Sequence, residues 1–257
     1  MAPIFSSTFI LLLGIASAAP FTSNLIPRAL DPKCAPGGNF DLSKWNLQLP
    51  TGSPGKVDSV SGAKLAGCSG WKDEKHFHTG SDGALITKVP GSKDTAGCVT
   101  TPNSKHCRTE LREAKPDSWS PKGATNRLNV QLQVQQADDS KYGTVIGQVK
   151  VDDSVSKKPL CELFYSKDGT LTMGVSQIPD VSSLKMQQIG KVPLKQKFGF
   201  EIRYEKSKLT VSIDGDEFKT LGTGSIDSPP SYFKAGNYNQ GDSPSEVHFY
   251  AIDVQHS

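Results

Sequence analysis

"RLNVQLQVQ", residues 127 to 135, alternates without a break. Leu128, Val130, Leu132 and Val134 fall on one face of an extended chain, and Asn129, Gln131, Gln133 and Gln135 on the other. Four apolar side chains at every second position predict a strand with one buried and one polar face. The same period recurs along the chain, and helical spacing almost nowhere. "FYSKDGTLTMGV" (164–175) sets Asp168-Gly169 between two β-rich runs. "RYEKSKLTVSIDGDEFKTL" (203–221) carries turn signals at Glu205 to Lys208 and at Asp214-Gly215, and "EVHFYAIDVQ" (246–255) closes the chain as a further strand. Many short antiparallel strands separated by Gly, Pro and Asp turns predict an all-β fold, a jelly-roll β-sandwich in which one concave sheet forms a long groove. A helical turn is expected near "SSLKMQQIG" (182–190).

The first residues bound the compartment. An apolar run from Phe9 to Ile15, followed by Ala16, Ser17 and Ala18, reads as a secretory signal over residues 1–18, although its leading segment lacks Lys and Arg. The run is well short of the ~20 residues that span a bilayer. Residues 19–39 form an N-terminal segment in which 21–28 resembles a short pro-segment ending at Arg28, and residues 40–257 read as one domain, with no linker or repeat. A secreted, extracellular monomer is expected. The formal charge of +3 is too small to imply nucleic acid or membrane.

Five cysteines accompany that address: Cys34, Cys68, Cys98, Cys107 and Cys161. In an oxidising compartment pairing is the default, and one must be left over. Cys161 sits in the apolar run "PLCELFYS" and reads as a free, buried thiol. Cys98 with Cys107 would close a short loop and Cys34 with Cys68 would tie down the N-terminal segment, a connectivity the sequence leaves open. No CxxC or HxxxH spacing suggests a metal site.

Three strands carry polar faces of unusual content. In "YFKAGNYNQ" (232–240), Tyr232, Lys234, Tyr238 and Gln240 share one face, with Phe233, Ala235, Asn237 and Asn239 on the other. In "RTELRE" (108–113), Arg108, Glu110 and Arg112 stand together. In "VIGQVKV" (145–151), Ile146, Gln148 and Lys150 oppose an inward row of Val145, Gly147, Val149 and Val151. A solvated sheet face with cross-strand ion pairs accounts for any one of these strands. Three in one chain point to a site.

These stretches carry a resemblance. "RTELR", the "QVK" of Gln148 to Lys150, and "YFKAGNYNQ" resemble the signature strands of polysaccharide lyase family 7, the alginate lyase 2 type of domain, which read R-[ST]-E-[LV]-R, Q-[IV]-H and Y-F-K-A-G-x-Y-N-Q. "FDLSKWNLQLP" (40–50) is similar to its opening strand, and the resemblance runs from Phe40 to the C-terminus. It implies a jelly-roll lyase that cleaves β-1,4-linked polyuronate, alginate or glucuronan, by β-elimination without a cofactor. By the same resemblance Arg108 and Gln148 neutralise the uronate carboxylate and Tyr238 is the catalytic tyrosine. Lys150 stands where the family has a catalytic His. Glu110, Arg112, Lys234 and Gln240 hold substrate or orient those groups, and Tyr232 and Asn239 of the same motif join them as candidate substrate contacts.

The chemistry needs such residues. Removing the C-5 proton of a uronate piles charge onto its carboxylate, which an Arg fork and a Gln amide can absorb. A base must take that proton and an acid must protonate the leaving O-4. Tyrosine titrates near 10, so the neighbouring cations are expected to bring its phenolate within reach. The departure is Lys150, a poor base while protonated. Mannuronate and glucuronate present the C-5 proton and O-4 on one face of the ring, where a single tyrosine can serve both roles, whereas guluronate presents them on opposite faces. Loss of the imidazole therefore predicts a bias toward glucuronan or polymannuronate. His76 and His78 in "EKHFHTG", or His106, would be the spare imidazoles, against the simpler reading of turn residues at a groove edge. Two other classes compete. A glycoside hydrolase would need two closely spaced carboxylates, and Glu110 between two arginines suits a carboxylate ligand better than an acid. A non-catalytic acidic-glycan-binding protein would use the same groove without turnover.

Overall fold

The computed structural model describes residues 29–179 and 183–257. The expected signal and the expected pro-segment, residues 21–28, lie outside the described residues. Fifteen strands follow in chain order: β1 (Trp45–Ser53), β2 (Lys56–Val60), β3 (Phe77–Thr79), β4 (Leu85–Val89), β5 (Arg108–Glu113), β6 (Asn126–Gln136), β7 (Thr144–Val151), β8 (Pro159–Tyr165), β9 (Thr170–Ser176), β10 (Leu184–Lys191), β11 (Lys197–Glu205), β12 (Lys208–Ile213), β13 (Lys219–Leu221), β14 (Ser231–Tyr238) and β15 (Ser245–His256). They form two antiparallel sheets, an eight-stranded one in the order β10-β9-β8-β7-β14-β5-β1-β2 and a seven-stranded one in the order β13-β12-β11-β6-β15-β4-β3. Chain-distant strands lie side by side in both, the interleaving of a jelly roll.

The alternation read from β6 holds. Leu128, Val130, Leu132 and Val134 are fully buried and meet Val247 and Phe249 of β15, Phe200 and Ile202 of β11, and Leu111 and Phe233 of the facing sheet in one core. The β11–β12 hairpin closes on Lys206 and Ser207, both at positive φ. This is the backbone a two-residue primed turn requires.

Bulges shift two other readings. In β7 the pairing with β8 slips between Val145 and Gly147, so Ile146 enters the core while Val145 packs with Tyr238 and Phe164 on the opposite face. This reverses the strict alternation expected there. The helical turn expected in 182–190 is instead β10, from Leu184 onward. Leu184 and Met186 pack toward Phe164, and a slip between Gln188 and Gly190 turns Ile189 into the core. The resulting two-then-three spacing imitates a helical face.

Both disulfides form as drawn, Cys34–Cys68 and Cys98–Cys107, and Cys161 is free and buried. With Leu30 packed against the core, the first bridge fastens the segment before Phe40 to the sandwich. Among the described residues no helix is long and apolar enough to cross a membrane.

Candidate active site

The outer face of the eight-stranded sheet carries a groove of about 600 Å³. Its floor comes from β1, β5, β14, β7 and β8 in spatial succession. Period two points Gln48, Arg108, Arg112, Tyr232, Lys234, Gln148, Lys150 and Glu162 outward, and the loops around residues 101–106 and 153–159 form its walls. Tyr238 ends β14, and Gln240 follows just beyond it.

Glu110 lies at the centre of the floor, fully buried beneath those side chains. Its Oε1 accepts from the Gln148 amide, and its Oε2 accepts from Lys234 Nζ and, at 3.1 Å, from Arg108 Nη1. Lys234 Nζ also donates to Gln48 Oε1 at 2.9 Å. Burial alone would raise the Glu110 carboxyl, but the charges of Lys234 and Arg108 outweigh it and hold the group ionised. Burial depresses Lys234, with Glu110 opposing. Such a cluster survives in low dielectric only because its charges are paired and its lone pairs used. Gly236 lets the strands close over it, since a Cβ there would stand 2.6 Å from the Glu110 Cα.

Tyr238 lies at one end of this floor. The Arg108 guanidinium stacks over its ring at 3.8 Å, and its hydroxyl is 2.9 Å from Ser104 Oγ, which also accepts from Arg108 Nη2 at 2.8 Å. The Arg108 Nε is buried with no protein partner. His106 meets the Tyr238 ring edge-on at 6.1 Å, and burial depresses its imidazole. Burial also lifts the Tyr238 phenol above its ordinary value, although Arg108 pulls the other way. This corrects the expectation that the cations bring the resting phenol within reach of ionisation: desolvation is the stronger effect, and Tyr238 rests as an acid.

Beyond Gln148 lie Lys150 and Glu162. Lys150 Nζ donates to the Lys157 carbonyl at 2.7 Å, and burial pushes its amine down to about 8. Burial lifts the Glu162 carboxyl to about 7, with Lys150 opposing. At the far end Arg112 stacks on Tyr232 at 4.2 Å and donates to Asp153 at 3.3 Å. Among the described residues no cluster of His, Cys, Asp and Glu could hold a metal ion.

The sequence profile described as Alginate lyase matches residues 40–256. The chain belongs to the alginate lyase family. A curated alginate lyase of Klebsiella pneumoniae is 31% identical over 147 residues, 55% of this chain but only 45% of that protein, so the match spans less than half of the relative's length. Among solved structures, family 7 alginate lyase A1-II′, in a tyrosine-to-phenylalanine variant with product (GGG), superposes with a TM-score of 0.73 at 28% identity over 87% of this chain and 100% of that one. The same enzyme with a histidine-to-asparagine and a tyrosine-to-phenylalanine change, in complex with substrate (GGMG), superposes equally well at 0.73 over 87% and 97% of the two chains, again at 28% identity. An alginate lyase of Pseudomonas aeruginosa gives 0.70 at 27% identity over 84% and 100%.

In this alginate lyase family member most of the candidate residues meet in one groove, which Arg108, Gln148, Lys150, Tyr238, Lys234, Arg112, Tyr232 and Gln240 all line. Two candidate substrate contacts are placed differently. Glu110 lies under the floor rather than on it. Asn239 points to the other side of the sheet, where its amide donates to the Ser243 carbonyl at 2.8 Å and its carbonyl accepts from Ser245 Oγ. Period two already assigned it to the Phe233 face. Of the three spare imidazoles, His106 lines the groove beside Tyr238, and the other two are not available. His76 binds Asp73 at 2.6 Å, and His78 lies on β3 at the edge of the seven-stranded sheet, away from the groove. Of the residues sequence reasoning missed, Gln48 was legible in the alternation of "WNLQL", and Glu162 follows Cys161 in a run read only for its apolar content. Ser104 and Asp153 sit in loops without periodicity.

Proposed function

We propose that this protein is a secreted, monomeric polysaccharide lyase that cleaves β-1,4-linked polyuronate by β-elimination, leaving unsaturated uronate ends. The observation that carries this reading is the Arg108–Tyr238 stack beside Gln148 and Lys150. An acid-base phenol and a set of carboxylate-binding cations occupy one floor, inside a groove suited to an anionic chain. Arg108, Gln148 and Lys150 would take the charge that develops on the uronate carboxylate. Arg108 over the ring and Ser104 at the oxygen would stabilise the phenolate left when Tyr238 first gives its resting proton to solvent; that phenolate would take the C-5 proton, and the phenol so formed would pass it to O-4.

Lys150 sets the stereochemical preference. With its amine near 8 it remains mainly cationic at pH 7, so the single-tyrosine route favours polymannuronate or glucuronan there. Above pH 8 the neutral amine becomes a base acting from a second position, and polyguluronate turnover rises. A hydrolase reading finds no support in Glu110, whose two oxygens are both engaged beneath the floor. The test is to follow the absorbance of the unsaturated product on glucuronan, polymannuronate and polyguluronate side by side, with Tyr238→Phe as control. Tyrosine-dependent product on either of the first two supports the reading. Binding of all three without product would leave an acidic-glycan-binding protein.

A further inference from the structure

Glu162 is a carboxylate in a groove otherwise arranged for anions. It sits on β8 directly across from Gln148 of β7 and lines the floor, buried. Among the described residues no group hydrogen-bonds its carboxyl oxygens, unlike Glu110, whose oxygens are all used. The charged and titratable groups facing it come from three strands: Lys150 of β7, Arg108 and Glu110 of β5, and Lys234 and Tyr238 of β14. On its other side β9 places Gly174 opposite it, and Leu184 and Met186 of β10 contribute only apolar atoms. Lys150 is its largest compensating charge, and Arg108 and Lys234 also bond Glu110.

A bound polyuronate brings a further carboxylate to this floor. Two carboxylates sharing a poorly hydrated site cannot both stay ionised at low cost, and the one without hydrogen bonds is the one that protonates. We propose that Glu162 is a substrate-binding residue that works in its protonated form, taking a proton from solvent when polyuronate binds and donating a hydrogen bond to the bound uronate. The inference rests on the polyuronate reading above. It makes affinity, rather than turnover of the bound complex, fall as the pH rises. An ionised Glu162 repels the chain, and a neutral one holds it. The lift of its carboxyl to about 7 in the free groove places this change near neutrality.

The experiment is carbon NMR of the protein labelled at glutamate carboxyls, free and with an oligomannuronate trimer, in the Tyr238→Phe background that prevents turnover. The Glu162 signal is assigned by its loss in Glu162→Gln and confirmed by its loss in Glu162→Asp. The expected result is one carboxyl that titrates near neutrality in the free protein and stays at its protonated position up to at least one pH unit higher in the complex. In wild-type background, KM of the Glu162→Gln enzyme should lose at least threefold of its rise between pH 7 and 8, with kcat little changed. A Glu162 signal at its ionised position in a saturated complex at pH 7 overturns the inference and leaves the lyase reading intact. Failure of glucuronan, mannuronate and guluronate oligomers alike to bind overturns both.

Discussion

The phenolic oxygen of Tyr238 and the hydroxyl of Ser104 lie 2.9 Å apart, and Ser104 also receives Arg108 Nη2. A loop residue closed in by the Cys98–Cys107 bridge thus holds the two side chains on which the chemistry turns. Tyr238→Phe is expected to lower kcat by ~100-fold or more, the usual worth of a general acid-base group, while retaining oligosaccharide binding. Ser104→Ala removes one hydrogen bond from the same oxygen and should lower kcat by about tenfold with KM little changed. Steady-state assays of both variants would check this. An unaltered kcat in Ser104→Ala would mean that the Arg108 stack alone positions the ring.

Glu110, buried beneath the floor, is a stability residue rather than the substrate contact the motif suggested. Glu110→Ala leaves Lys234 enclosed without its counter-charge and should cost ~3–5 kcal/mol, read from urea unfolding. The sign of the pH dependence follows from the depressed carboxyl. Its contribution is complete above the unfolded value of about 4.3 and is lost as the pH falls through the lower folded value. Wild-type stability should therefore decline below pH ~4 more steeply than that of Glu110→Gln.

Lys150 can be tested from both sides. With the amine near 8, wild-type activity on polyguluronate should rise about fivefold or more between pH 7 and 9, whereas activity on polymannuronate should not follow that profile. Lys150→Arg, which cannot lose its proton, should abolish the rise. Lys150→His should bring polyguluronate cleavage to neutral pH. Equal rates on polyguluronate and polymannuronate at pH 6 in the wild type would exclude the assignment.

Asn239 belongs to the interior in this structure, so Asn239→Ala should cost ~1–3 kcal/mol through the polar groups it leaves unsatisfied, with KM unchanged in the folded fraction. Thermal melting and saturation kinetics on the same preparation separate the two effects. A raised KM at full stability would return Asn239 to the groove.

Much of this architecture was legible because the outward face of a strand follows from counting by two. Within each strand that count set Arg108 with Glu110 and Arg112, Gln148 with Lys150, and Lys234 with Tyr238 on one face, and it put Asn239 on the face opposite Tyr238; the resemblance of the three motifs to one family is what joined those faces into one site. The count failed where the backbone itself gains a residue, as at Val145 to Gly147 and at Gln188 to Gly190, because a bulge leaves no periodic trace. It was silent on depth as well. The sequence shows Glu110 and Glu162 as two glutamates on strands. Only the fold reveals that one is enclosed by cations with every oxygen used and the other faces open groove with none, and that difference separates their ionisation.

The bonding of Glu110 also bears on how such a groove can diversify. One carboxylate fastens side chains from four adjacent strands, Gln48 through Lys234 and then Arg108, Gln148 and Lys234 directly. Any single replacement among them strands a partner in a dry interior, so the floor can change only by several coordinated steps, each intermediate being less stable than either end point. The loops around residues 101–106 and 153–159 are tied to that floor one contact at a time, Ser104 to Tyr238 and Arg108, Asp153 to Arg112, and the Lys157 carbonyl to Lys150, rather than through one shared carboxylate. New preferences for chain length or monomer order would accumulate in those walls, over a floor that drifts slowly.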